Sequence, residues 1–266
     1  MSDAYVETTV LTDILLKPRT PKHQRAKAAL ARYQNTFLPV YSIKEWKAGP
    51  LSNFAYVHDK LVVTKSLRNT LQAVSALARA SYRKSTAIEA LVAAGTVSDS
   101  LPKTYMGLGS NDREMADSYR LALASLIIRS WHKRRKMTTQ VVHELLCYVE
   151  VEPRFRKDGL LELNPTRCER DQGCSLGPSL KAKPKLLEAL RNAIPENSGR
   201  REDQRRRKAL KHLIKHPNDS VDRELCRDLG DAIFAFFCPA NAVILTTNTR
   251  DLEPLAKSVG KEVAKP

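Results

Sequence analysis

The sequence GDAIFAFFCPANAVILTTNTRDLEPL, residues 230–255, decides the fold. Residues 231–237 form an apolar helical run headed by Asp231, and residues 242–246 (AVILT) carry the β-branched types of a buried strand. A further helix is expected over 250–259, closed by Gly260. Helix, strand and helix in such short succession build a parallel sheet, because each strand must return through a covering helix. Asp231, Asn248 and Asp251 all fall close to the ends of these elements. In an open α/β sheet, ligands bind outside the carboxyl ends of the strands.

The first 60 residues show the same alternation. Residues 3–10 (DAYVETTV) read as a strand, and 11–16 as a helix that stops before Pro18. Residues 21–34 read as a helix with Pro in its first turn, and 36–41 (TFLPVY) as a short buried strand. Ser42 followed by Glu45 has the spacing of a capping box, which predicts a helix starting there. Glu7 then lies at the end of one strand, and Glu45 in the helix after the next.

Between these ends the pattern is mostly helical. Helical periodicity runs over 61–94, a Gly/Ser/Pro-rich loop over 95–111, and a helix capped by Asp112 follows. Another helix is expected over 138–148, irregular chain over 152–182, and helices over 183–194 and 200–215. Asp219 or Ser220 is expected to cap the last helix before a break at Gly230. The reading is an α/β fold with a discontinuous core, residues 1–60 and 216–266, around a basic helical insertion, residues 61–215.

Charge narrows the partners. Lys plus Arg number 45 against 29 Asp plus Glu, a net +16. Such a surplus calls for a polyanion, nucleic acid first among them, with RNA favoured. The clusters Lys133, Arg134, Arg135, Lys136 and Arg205, Arg206, Arg207, Lys208 are the expected phosphate contacts. No run of 18 apolar residues and no amphipathic anchor or lipidation signal occurs, which argues against a membrane partner. The opening MSDAYVETTVL is acidic where a signal peptide is basic, so a cytoplasmic location is expected. The five cysteines are then expected as free thiols, and the spacing of Cys168 and Cys174 does not suit a zinc knuckle. His143-Glu144-x-x-Cys147 lacks the second histidine of a zinc protease. Trp46 and Trp131 suit either a core or a stacking surface.

Acids brought to one sheet edge repel one another and raise each other's pKa. A hard divalent cation removes that conflict, and Mg²⁺ and Mn²⁺ prefer carboxylate oxygen and water. Such a site can align water against a phosphodiester.

Three segments resemble the PIN-domain nuclease family. AYVETTVL is similar to its opening strand–Asp–Thr–x–Val–Leu, LPVYSIKEW to its second segment, and residues 230–255 to its closing Asp–Ala–x–Ile, strand and Thr–x–Asn–x–x–Asp. The resemblance covers about 75 residues of 266. It implies a PIN-like parallel sheet and a Mg²⁺- or Mn²⁺-dependent endoribonuclease. Glu7, Glu45, Asp231 and Asp251 would be the catalytic and metal-holding acids, with Asn248, Thr247 and Asp228 as secondary candidates. Glu7 departs from the family's Asp, so the site could be retuned or reduced to nucleic-acid binding. The insertion departs as well, and a toxin or defence role with a protein partner, or a homo-oligomer, is the remaining alternative.

Overall fold

The computed structural model describes residues 2–80, 86–98, 111–145, 151–163, 176–216, 219 and 221–266. Strands β1 (Asp3–Val6), β2 (Thr36–Pro39), β3 (Gln140–Val142), β6 (Ala242–Leu245) and β7 (Glu262–Ala264) form one sheet, in the order β3-β2-β1-β6-β7. Every pairing in it is parallel. A two-stranded antiparallel ribbon, β4 (Arg154–Phe155) and β5 (Leu161–Glu162), stands apart.

Strand order and right-handed crossover fix where the helices go. From β1 to β3 the sheet grows in one direction, through α1 (Thr8–Leu16), α2 (Pro21–Leu30), α3 (Val40–Trp46), a π turn, α4 (Ser52–Thr64), α5 (Leu67–Ala80), α6 (Thr86–Ser98) and α7 (Asp112–Met137). The chain then crosses to the other side of β1, through α8 (Leu176–Lys181), α9 (Pro184–Asn192), α10 (Arg201–Lys215) and α11 (Arg223–Phe237) to β6, then through α12 (Thr249–Ser258) to β7. Alternate residues of β1 therefore feed two cores. Ala4 and Val6 join α1, α4, α6 and α7, while Tyr5 joins α9 to α12. Residues 61–215 thus supply helices to both cores and one strand to the sheet edge.

Several expected boundaries move. The first strand ends at Val6 and α1 begins at Thr8, because Glu7 is the N-cap and accepts from Thr9 N at 3.0 Å. Helix α3 starts at Val40, not Ser42, and the expected capping box does not form. The carboxylate of Glu144, beyond β3, takes the amides of Val40 (3.1 Å) and Tyr41 (2.7 Å) instead. Ser42 is buried inside the helix and donates to Val6 O at 2.8 Å. The helix expected over 138–148 is overturned where described: residues 140–142 pair with β2 as an edge strand. A central strand with a free edge outbids the local helical period there. Asn111, rather than Asp112, caps α7 in a reciprocal capping box with Glu114. Asp222 caps α11, accepting from Leu225 N at 2.7 Å. Gly230, at φ 11° and ψ −93°, interrupts that helix where a break was expected. Strand β7 follows Gly260, where no strand was expected.

The tryptophans belong to the core. Trp46 and Trp131 are fully buried and stack at 6.2 Å, with Arg134 lying 4.5 Å from the Trp131 ring centre. Cys226 and Cys238 are free thiols; Cys147, Cys168, Cys174 and Ser220 lie outside the described residues. Among the described residues no helix is long and apolar enough to cross a membrane.

Candidate active site

The strand order reverses direction between β1 and β6. Such a switch point opens a crevice at the carboxyl ends of the strands. Glu7 directly follows β1 and Thr246 directly follows β6. The two meet: Thr246 Oγ1 donates to Glu7 Oε2 at 3.0 Å. Thr9 Oγ1 donates to the same oxygen and accepts from Thr247 N at 3.2 Å. Asn248 N donates to Thr246 Oγ1 at 2.8 Å. Glu7 is only 5% exposed. Burial pushes its carboxyl up to about 7, with a smaller push from Asp231, against hydrogen bonds from Thr9 and Thr246 that lower it.

Glu45 comes to Glu7 because Ser42 pins α3 to the end of β1. Thr8 Oγ1 donates to Glu45 Oε2 at 2.8 Å, and the Tyr41 hydroxyl also bonds this half-buried carboxyl. Burial raises Glu45 to about 8, and the charges of Glu7 and Asp231 add to it. The two glutamates are thus neutral-leaning acids held by threonine and tyrosine hydroxyls.

Asp231 faces them from the second half of α11, just past the Gly230 break. Burial raises its carboxyl despite the opposing Arg206 guanidinium, and Asp251 adds to the rise. Arg206 bonds Asp231 directly; its own side chain is 9% exposed. Asp251 is bonded by Arg200 and by Asn248 Nδ2 at 3.1 Å. Burial pushes Asp251 up, but the Arg200 and Asn248 bonds outweigh it, so its carboxyl ends below the usual range. Asp228 lies at the rim, 3.5 Å from Arg227 and 3.9 Å from Arg205. A cleft of about 250 Å³ opens here, lined by Glu45, Arg205, Arg206, Asp228 and Asp231.

All four expected acids are therefore brought to one region. By donor chemistry they suit Mg²⁺ or Mn²⁺. As placed, no three Asp, Glu, His or Cys side chains among the described residues come together as ligands for one ion. The charge an ion would bring is in part supplied by Arg206 and Arg200.

The two basic clusters are divided between inward-turned and exposed cations. In α10, Leu210 and Leu213 are buried against the core, at roughly 2 kcal/mol each, and turn the arginines inward. Arg206 takes Asp231, and Arg205 reaches Glu202 and Asp228 at 3.9 Å. Arg207 pairs with Glu196 at 2.7 Å and donates to the Arg191 (3.1 Å) and Ile194 (2.9 Å) carbonyls, closing the end of α9. Lys208 is exposed. In α7, Arg134 is buried while Lys133, Arg135 and Lys136 are exposed. Burial, then Lys27 nearby, lowers the Lys133 ammonium.

Sequence reasoning missed the threonine hydroxyls and the direction of the arginines. It expected Thr247 to bond near the site; Thr246 makes the carboxylate bond, and Thr247 contributes only its amide. The available signal was charge balance: four acids converging in a chain of net +16 attract the nearest cations, and the basic run begins at Arg200. Compared with protein-family models, curated proteins and solved structures, the chain gives no match in any of the three.

Proposed function

We propose that this chain is a metal-dependent endoribonuclease with a PIN-like core. The observation that carries the reading is the meeting of Glu7, Glu45 and Asp231 at the switch point of a parallel sheet, where the charge of Asp231 raises both glutamates and Glu7 raises Glu45. Glu7, Glu45 and Asp231 would hold Mg²⁺ or Mn²⁺, with Asp251 and Asn248 beside them. A bound ion would polarise the phosphodiester and lower the pKa of a bound water. The protein's own part is positional. Thr9 and Thr246 fix the Glu7 carboxyl, Thr8 and Tyr41 fix Glu45, and Arg206 and Arg200 balance the aspartates. On ion entry, Arg206 would be free to turn toward substrate phosphate in the adjoining cleft.

A second reading, a PIN-like nucleic-acid-binding module without cleavage, is favoured by one observation: the aspartates already have arginine partners. A labelled single-stranded RNA incubated with the protein in Mn²⁺ and in EDTA separates the two. The nuclease reading expects Mn²⁺-dependent cleavage that Glu45→Gln abolishes. Gln resembles the protonated acid already present without metal, so the variant should fold. RNA bound but uncut under every divalent ion would establish the second reading instead.

A further inference from the structure

The largest cavity among those described, about 710 Å³, does not contain the acids. It lies across the threonine wall from them. Thr8, Thr9 and Thr247 line it, and the first two hydroxyls bond Glu45 and Glu7 on the other side. Its volume falls in the roughly 300–1,000 Å³ range of ligand sites.

The cations of this cavity differ from those of α10. Lys17 is held by Asp13 and Glu89, each at 3.1 Å. Lys22 and Arg25 from α2, and Lys265 after β7, also line it. All three are exposed and have no ion-pair partner among the described residues. The cavity therefore keeps a surplus of positive charge open to a ligand. It adjoins a second pocket of about 450 Å³ that shares Lys22 and Arg25 and adds the exposed apolar side chains of Ile88 and Val92. Open cations beside an apolar shelf suit a strand whose phosphates and bases can part company, which a single strand allows and a duplex does not.

We infer that this cavity binds the backbone of a single-stranded nucleic acid next to the acid cleft, with Lys22, Arg25 and Lys265 on its phosphates. The inference rests on the nuclease reading for its choice of ligand. It moves the phosphate path from the α10 run to α2 and the chain beyond β7.

The test uses the full chain, EDTA and a fluorescein-labelled single-stranded RNA of mixed sequence. EDTA keeps cleavage out of the readout, so failure here is distinct from failure of the nuclease reading. Each phosphate contact on a single strand contributes about 0.7 to the slope of log affinity against log salt. Lys22→Gln/Arg25→Gln/Lys265→Gln should flatten that slope by about 2, shrinking the change in Kd between about 50 and about 200 mM salt by roughly 15- to 20-fold. Its Tm should stay at the wild-type value, since no ion pair is lost. Lys208→Gln/Lys211→Gln/Lys215→Gln, on the outer face of α10, should leave the slope unchanged. The same RNA as a duplex should bind more weakly and lose less in the first triple variant. A wild-type slope in that variant, or an equal loss for single strand and duplex, would overturn the assignment.

Discussion

The two halves of the acid cluster are neutralised in opposite ways. Glu7 and Glu45 sit among hydroxyl donors, with no guanidinium bonded to them among the described residues, and are raised by burial to about 7 and about 8. Asp231 and Asp251 are bonded by Arg206 and Arg200, both from the α10 segment. One half meets its electrostatic cost by taking a proton, the other by borrowing a cation. A divalent ion could replace both devices at once, which is why the contrast is informative.

The largest effect expected from the glutamate half is in stability against pH. An acid with a raised folded pKa holds its proton in the folded state while the unfolded chain releases it above the ordinary 4.5. Folding then binds protons between about pH 4.5 and about pH 8, so stability falls as pH rises through that window. At about 1.4 kcal/mol for each pH unit between the ordinary and the raised values, the two carboxyls set an upper bound of roughly 8 kcal/mol on that loss without metal. Urea unfolding of wild type and of Glu7→Gln/Glu45→Gln from pH 5 to pH 8.5 checks it. The double variant should lose most of the slope, and Mn²⁺ should flatten it in wild type. An equal slope in both proteins would mean that the two carboxyls are solvated and the contrast is false.

A smaller effect is expected from the aspartate half. Removing one partner of a buried ion pair leaves the other charge exposed to a low dielectric, at a cost of about 3 kcal/mol. Arg206→Ala should lower stability in EDTA by that order, and Mn²⁺ should restore more of its Tm than it adds to wild type, because the tethered competitor is gone. Equal Mn²⁺ shifts in both proteins would place the ion away from Asp231.

The sheet and the acid positions were legible because their signals are local. Residues 242–246 alternate too little to be anything but a buried strand, and Asp231 follows a glycine that breaks a helix. Strand β3 was not legible. Its three residues sit in a helical period, and only the open edge of β2 makes them a strand. The Ser42–Glu45 pair had the right spacing for a cap, yet a carboxylate 104 residues from Val40 took that role, which no local pattern contains. The same limit applies to α10: the run RRR reads as phosphate contacts until Leu210 and Leu213 fix which face is buried. Lys22, Arg25 and Lys265 belong to no run at all, and only the fold collects them.

The most direct test is a crystal soaked in Mn²⁺, with anomalous differences measured at the manganese edge. A peak should appear held by Glu7, Glu45 and Asp231, with the Arg206 guanidinium displaced from Asp231. No peak at the switch point, with Arg206 still bonded to Asp231 at saturating Mn²⁺, would contradict the metal-dependent reading.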